Sequence, residues 1–381
     1  VNTSFDSLQT PCLILHQSRF DANVTRLYEK CKVHKTAIRP HLKTAKSVAL
    51  AKRMQRAPMT GITVSTLHEA EYFYNAGFND ILYAVTIAPN KIERAVTLAT
   101  KCPSLILLID NVTVFKIFDR FVQGIKAEHQ FNIRLMIEID VDGHRAGLLP
   151  NEEELLALAQ SIVESRNFTF CGLMTHAGES YTCQTPVDLQ QHAKQEVERM
   201  QEAKRFLQQH DIKCPVLSIG STPTANAYEN LDEIDEIRAG VFVFYDLVMT
   251  NIGVCTIDDI ALGVLSTVIS HKKSHNRVII DAGGLALSKD RGTASQKADF
   301  GYGLLIDALT WIPIGQLVVN QANQEHGVVY LQNTEQFSNL PVGAKVIVLP
   351  NHACMTAAAH SEYHVFEDGR IIDTISRING W

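Results

Sequence analysis

No block of lysine and arginine interrupts the 381 residues, and the formal net charge is -6. The chain therefore offers no cationic footprint for nucleic acid or an anionic membrane. No apolar run approaches the ~20 residues that span a bilayer, and no basic segment followed by an apolar one opens the sequence. A cytoplasmic protein without membrane contact is expected. The eight cysteines, Cys12, Cys31, Cys102, Cys171, Cys183, Cys214, Cys255 and Cys354, form no C-x-x-C pair and several sit in apolar runs, as reduced core thiols do. Low-complexity tracts and internal repeats are missing too. What remains is an ordinary globular composition, 46% hydrophobic and 20% charged, whose partner is a small molecule.

Strand and helix signals alternate along the first two thirds of the chain. Thr10-Pro11-Cys12-Leu13-Ile14-Leu15-His16 reads as a strand entering a helix, Ser18 to Lys30, with Phe20, Val24 and Leu27 on one face. Eight further strands follow at 37–39, 61–65, 80–85, 104–109, 133–139, 169–174, 215–219 and 237–244, separated by helical segments. Residues 104–109 are apolar throughout, as in a strand buried on both faces. Asn111 opens a helix. Asn151 with Glu154 three residues on has capping-box spacing, and Thr185-Pro186 starts a helix reaching about His210. Eight strands within about 250 residues predict an α/β fold, a (βα)8 TIM-type barrel over 11–250, where an open doubly wound sheet would not need eight. From Asn251 the β-rich segments 260–269, 277–281, 327–331, 345–349 and 362–366 predict a mostly antiparallel β domain over 251–381, joined by residues 1–10.

Residues directly after barrel strands converge on one face. Lys43 follows the first strand, Asp142-Gly143-His144-Arg145-Ala146-Gly147 the fifth, Thr175-His176-Ala177-Gly178-Glu179-Ser180-Tyr181 the sixth and Gly220-Ser221-Thr222-Pro223-Thr224 the seventh, and Arg238-Ala239-Gly240-Val241 lies in the eighth. A lysine at a strand-to-helix junction is a surface charge, a phosphate clamp or an amine able to form a Schiff base. Gly220-Ser221-Thr222 with Gly240-Val241 has the makings of an anion site, and equally those of a turn with a helix cap. Arg145 can donate to the phenolate oxygen of a flat cofactor and His176 can pack on its ring, although each residue type also serves as packing. In Pro350-Asn351-His352-Ala353-Cys354-Met355-Thr356, a strand would point His352 and Cys354 to one side, where imidazole and thiolate bind one metal; the alternative is a buried Cys beside an incidental His. Gln324-Glu325-His326-Gly327 is a turn, or orients that metal site from outside.

Arg39-Pro40-His41-Leu42-Lys43-Thr44, Gly143-His144-Arg145-Ala146-Gly147, Met174-Thr175-His176, Gly220-Ser221-Thr222-Pro223 and Arg238-Ala239-Gly240-Val241 resemble the motifs of fold-type III pyridoxal-phosphate (PLP) enzymes, the alanine racemase-like group. Over nearly its whole length the chain resembles the metal-dependent D-serine dehydratase and D-threonine aldolase branch. His352-Ala353-Cys354 is similar to the dehydratases, whereas the aldolases carry His-x-Asp there. The segment from Asp290-Arg291-Gly292-Thr293 through Gln296-Lys297 to Asp299-Phe300-Gly301-Tyr302 is similar to bacterial D-threo-3-hydroxyaspartate dehydratases. The resemblance implies Lys43 as the catalytic Schiff-base lysine, Arg145 near the phenolate oxygen and His176 against the ring. Tyr181, Ser221, Thr222, Gly240, Val241 and Tyr245 would be further cofactor contacts, with either Arg238 or Tyr181 at the pyridine nitrogen. It also implies a homodimer.

The expected function is a lyase, a PLP- and divalent-metal-dependent dehydratase of D-3-hydroxy amino acids, D-threo-3-hydroxyaspartate or D-serine, giving a keto acid and ammonia. Lys43 would remove the α-proton, and a metal on His352 and Cys354, zinc ahead of manganese or magnesium, would activate the β-hydroxyl. Lys289, Arg291 or Lys297 would hold a β-carboxylate, or else lie in a solvated loop. A D-threonine-type aldolase, a racemase and a non-catalytic PLP-binding protein are the alternatives; the β domain argues against the last.

Overall fold

The computed structural model of the chain describes residues 5–56, 58–125 and 131–381. Strand β1 (Cys12–His16) runs into the helix Gln17–Val33. Eight strands follow: β2 (Ala37–Ile38), β3 (Ile62–Val64), β4 (Ile81–Thr86), β5 (Ile106–Ile109), β6 (Ile133–Ile139), β7 (Phe168–Thr175), β8 (Leu217–Ile219) and β9 (Glu236–Ile237). All eight pair in parallel, in the order β2-β9-β8-β7-β6-β5-β4-β3. The backbone continuing β2 closes the ring: Leu42 N donates to Thr63 O at 2.8 Å and Thr63 N to Pro40 O at 2.9 Å. This is the predicted barrel. Its strands are short and almost wholly buried because one face meets the barrel interior and the other the surrounding helices.

Inside the barrel, Arg39 Nε lies 3.0 and 2.9 Å from the two Glu236 carboxylate oxygens, and its Nη1 lies 2.7 Å from Asp80 Oδ1. Ser218 Oγ donates to Glu236 at 2.7 Å. These bonds fasten the ends of β2, β8 and β9 to the residue before β4, satisfying charges that would otherwise be costly to bury.

The second sheet has ten strands. With β1 it contains β10 (Leu262–Lys272), β11 (Arg277–Ile280), β12 (Leu304–Asp307), β13 (Pro313–Val318), β14 (Gln321–Ala322), β15 (Gly327–Tyr330), β16 (Lys345–Leu349), β17 (Glu362–Glu367) and β18 (Arg370–Ser376). Every pairing is antiparallel except that of β1 with β17, so the mostly antiparallel expectation holds.

The chain forms two compact units, one of Leu27–Lys43, Met54–Gly240 and Gly380–Trp381, the other of Val1–Arg26, Thr44–Arg53 and Val241–Asn379. The expected boundaries at 11 and 250 differ from this. The strand β1 pairs with β10 and β17 rather than with the barrel, since an apolar strand shows its burial but not its neighbours. Phe5 stacks on Phe366 at 5.2 Å, while residues 1–4 of the segment expected to join the β domain lie outside the described residues.

Two local expectations need correction. The eighth barrel strand ends at Ile237, and the apolar run beyond it is a 3-10 turn, Val241–Val243, buried without being extended. The helix expected from Asn151 runs Glu153–Glu164 with Glu152 at its N-cap and no side-chain cap bond, and the Asn151 amide nitrogen donates instead to Glu202 at 3.1 Å. Asn111 and Thr185 do cap their helices, the latter in a capping box with Asp188. All eight cysteines are free, and no helix among the described residues is long and apolar enough to cross a membrane.

Candidate active site

In the barrel unit, the turn after β2 carries Lys43, whose backbone N–H points at His41 Nδ1 across 3.4 Å. His176 directly follows β7, with Nδ1 3.1 Å from Gly220 O, beyond β8. A carbonyl only accepts, so Nδ1 carries the hydrogen and Nε2 keeps its lone pair. The Tyr181 ring lies 6.2 Å from the His176 ring. The Arg145 loop is wound around Asp140, whose carboxylate accepts from the N–H groups of Asp142, Gly143 and Arg145 at 3.1, 2.8 and 2.9 Å.

The electrostatics follow from that crowding. Burial, then Lys43 and Arg145, push the His176 imidazole down to about 3. Burial, followed by Lys43, Arg238 and His176, holds His41 well below its ordinary value. Lys43, Arg145 and Arg238 thus surround two neutral imidazoles with positive charge. Arg238 is buried, bonded to Ser218 Oγ at 2.6 Å and to the Thr175 carbonyl. The Glu138 carboxyl, held by Thr86 Oγ1 at 3.0 Å, is raised chiefly by burial.

Gly220 has φ +129, and a Cβ there would lie 2.3 Å from Arg238 O, so only glycine fits. Ser221 is spent internally. Its N–H donates to Thr224 Oγ1 at 3.1 Å, and its Oγ accepts from Thr224 N at 3.2 Å and lies 2.8 Å from Ser180 Oγ. Thr222 is buried at the start of a four-residue helix, and Gly240 is half-buried. Val241 and Tyr245 fall in the other unit. Tyr245 is fully buried, and its hydroxyl bonds the Arg26 guanidinium of the same unit.

In the β unit, β16 ends at Leu349 and His352 caps the helix Ala353–Ala357, so the two expected ligands do not share a strand face. They still interact directly. Burial lowers the His352 pKa, but the bonds to Asp290 and Cys354 override it and push it up to about 11. Its Nδ1 lies 3.0 Å from Asp290 Oδ2, which leaves Nε2 for a metal. Cys354 Sγ lies 3.2 Å from Thr44 Oγ1. Asn351, 3% exposed, donates to Asp290 O at 3.0 Å and Gly301 O at 2.7 Å and accepts from Thr293 Oγ1 at 3.2 Å, fixing the loop that presents Asp290. Buried Asp246 accepts from Ala353 N at 3.0 Å. Among the described residues no group of three or more His, Cys, Asp or Glu assembles around a metal position.

The residues unread as site members in the sequence are His41, Thr44, Asp246 and Asp290; the first two lie inside the lysine motif itself. His326 is in a hairpin turn between β14 and β15, with Asn323 N bonded to its carbonyl at 2.9 Å, and Asp290 fills the supporting role at His352. Arg291 is occupied by Asp299 at 2.7 Å and stacks on Tyr302 at 5.0 Å.

A closed parallel barrel with a lysine after its first strand, set among cations and followed by an antiparallel sheet unit, defines the class of fold-type III PLP proteins. The family model of the alanine racemase N-terminal domain matches residues 15–247, and that of a putative serine dehydratase domain matches 261–366. D-threo-3-hydroxyaspartate dehydratase of Delftia sp. (strain HT23) is 40% identical over 98% of either chain, and its solved structure covers 99% of this chain and 100% of its own with a TM-score of 0.94. D-serine dehydratase of Dictyostelium discoideum is 32% identical over 100% of this chain and 99% of its own, and D-threonine aldolase of Arthrobacter sp. 27% over 96% and 91%. The chain belongs to the alanine racemase-like family, in the branch of the D-threo-3-hydroxyaspartate and D-serine dehydratases.

Proposed function

We propose that this protein is a PLP- and divalent-metal-dependent lyase that dehydrates D-3-hydroxy amino acids, D-threo-3-hydroxyaspartate or D-serine, to a keto acid and ammonia. The observation that carries the reading is the concentration of Lys43, Arg145 and Arg238 around neutral His41 and His176. Such a surplus of positive charge fits an anionic, phosphorylated cofactor.

When bound, pyridoxal phosphate supplies the electron sink that makes an α-proton removable. Lys43 would hold it covalently through Nζ, and Nζ, once freed by the substrate amine, would take the α-proton. Arg145 would donate toward the phenolate oxygen and His176 would lie against the ring. With its Nδ1 hydrogen committed to Gly220 O, His176 offers no second hydrogen that could protonate its surroundings. Tyr181, Thr222, Gly240 and Val241 complete the proposed contacts, and Ser221 would act by shaping the loop.

The donor set His352 and Cys354 fits a divalent ion, zinc ahead of manganese or magnesium, with Asp290 orienting the imidazole and the Thr44 hydroxyl beside the thiolate. Such an ion would supply Lewis acidity toward the β-hydroxyl. Thr44 is covalently next to Lys43. Among the solved structures of D-threo-3-hydroxyaspartate dehydratase is a cysteine-to-alanine mutant in the metal-free form, which supports a cysteine ligand here. A cytoplasmic homodimer acting on a small D-amino acid completes the reading.

The test is to give the purified protein, with PLP and a divalent metal, D-threo-3-hydroxyaspartate, D-serine and D-threonine. Oxaloacetate or pyruvate with ammonia is expected, and glycine with an aldehyde would overturn the dehydratase reading in favour of an aldolase. Lys43→Ala should abolish the absorption band near about 420 nm and lower turnover by at least about 1,000-fold.

A further inference from the structure

The long helix Pro186–Gln208 turns Leu189, Ala193, Glu196, Met200, Ala203 and Leu207 to the interior at alternating spacings of four and three. One member of that stripe is a carboxylate. Glu196 is 1% exposed, and a lone charge at such a position is destabilising by several kcal/mol unless its oxygens are satisfied. Both are. Gly220 N donates to Oε1 at 2.9 Å and the Tyr228 hydroxyl donates to Oε2 in a short bond.

From Tyr228 the bonds continue. Thr224 Oγ1 lies 2.9 Å from the Tyr228 hydroxyl and 3.0 Å from Ser221 Oγ, which lies 2.8 Å from Ser180 Oγ; Ser180 donates to Ala177 O at 2.7 Å. Every hydroxyl in this chain is buried, and a hydroxyl has one hydrogen, so the directions are fixed. Tyr228 gives its hydrogen to Glu196, so Thr224 must donate to Tyr228. Ser180 gives its hydrogen to Ala177, so Ser221 Oγ must donate to Ser180, and Ser221 joins Thr224 through its backbone N–H, which donates to Thr224 Oγ1 at 3.1 Å. Gly220 is gripped at both ends, its N–H by Glu196 and its carbonyl by His176 Nδ1.

We propose that Glu196 is a positioning residue for the cofactor's phosphate: as the acceptor for the Gly220 N–H and the terminal acceptor of the series Ser221 N–H to Thr224 Oγ1 to Tyr228 hydroxyl, it fixes the Gly220-Ser221-Thr222 loop against which that phosphate is held. The proposal rests on the cofactor reading above. It reaches the ligand only through the loop, and so separates a phosphorylated ligand from its unphosphorylated counterpart.

The experiment compares binding of pyridoxal phosphate and of pyridoxal to the full-length apoprotein, in wild type, Glu196→Gln and Tyr228→Phe, with the 31P resonance of bound pyridoxal phosphate as a second readout. Glutamine removes the charge and turns one acceptor into a donor. Loss of a charge-assisted bond predicts that Glu196→Gln weakens pyridoxal phosphate binding by about tenfold while changing pyridoxal binding by less than about twofold, with a displaced 31P signal. If Glu196→Gln does not fold, Tyr228→Phe, which deletes one hydrogen of that series, should give the same selective loss at about threefold. Equal weakening of both ligands, or no weakening of either, would overturn the positioning role. Failure of the wild type to bind pyridoxal phosphate would instead remove the cofactor reading, and this proposal with it.

Discussion

The two units hold their chemistry by different means. In the barrel, Lys43, His176, Gly220 and Arg238 stand just beyond the ends of parallel strands, so the backbone ladder sets where each side chain begins. In the β unit, His352 caps and Cys354 lies in the first turn of a five-residue helix after β16, and side-chain hydrogen bonds fix them: Asp290 on the imidazole, neighbouring Asn351 on the Asp290 loop, Asp246 on Ala353. A ladder-set residue depends on the integrity of the whole barrel. A loop-set residue depends on two or three hydrogen bonds and can be loosened while the unit stays folded.

The largest effect should come from attacking the ladder. Arg39→Met leaves Glu236, 5% exposed, without the Nε–H its two oxygens share inside the barrel and removes the bidentate partner of Asp80. Breaking a buried pair from one side predicts a loss of about 3–5 kcal/mol in unfolding free energy, measured by urea titration at neutral pH. A loss below about 1 kcal/mol would mean that the barrel ends are not held by this pair, and the contrast between the units would lose its first half.

How much of this was legible in the sequence follows the same division. Apolar runs such as Ile106–Ile109 and Ile133–Ile139 announced the barrel strands, because parallel strands buried on both faces need nothing but burial. The same rule overshot at Val241–Phe244, where burial occurs in a 3-10 turn. In the β unit, the strand Lys345–Leu349 was read to the residue, but β12 is only four residues long, β13 begins with proline and β18 is largely exposed, so none of the three carried a clear pattern. Lys43 was visible through its place after a strand and through its motif. His352 and Cys354 were visible as residue types, but Asp290 lies 62 positions from His352, and no spacing rule links them. Glu196 went unread in the sequence, because one charge in a core stripe gains meaning only once Gly220 and Tyr228 are found beside it.

The second prediction attacks the loop-set site. Asp290→Asn keeps the shape but removes the charge that polarises His352 Nδ1–H. Losing such an outer partner should weaken divalent-metal binding by about 10–100-fold, read by competition with a chelator. Asp290 lies on the rim of the unit, and the Asn351 bond goes to its backbone carbonyl, which the substitution retains. Because the Asp290 carboxylate also holds the imidazolium of His352 in the metal-free protein, unfolding free energy at neutral pH should fall by about 1–2 kcal/mol, short of the loss expected for Arg39→Met. A fall as large as that for Arg39→Met would show the β-unit site to be as globally coupled as the barrel.

The smallest effect concerns protons, and it probes the β unit through its core instead of its loops. His16 ends β1 with its ring edge-on to Trp311 and Phe366, at 4.9 and 5.3 Å, and its Nδ1 is buried without a hydrogen-bond partner. Burial, reinforced by Arg19, pushes its pKa down to about 4. The folded state therefore holds His16 neutral at a pH where the unfolded chain already binds a proton. Because the unfolded state binds more protons below its own pKa near 6.5, stability is fully present above that value and falls as pH drops toward 4. His16→Phe keeps an aromatic ring against Trp311 and Phe366 and removes the titration. Between pH 7 and pH 5, the wild type should lose about 1–2 kcal/mol more than this variant, measured as the difference between paired urea titrations. Identical pH dependence in the two proteins would mean that the ring becomes hydrated on acidification, so that this part of the β-unit core is looser than its packing against Trp311 and Phe366 implies.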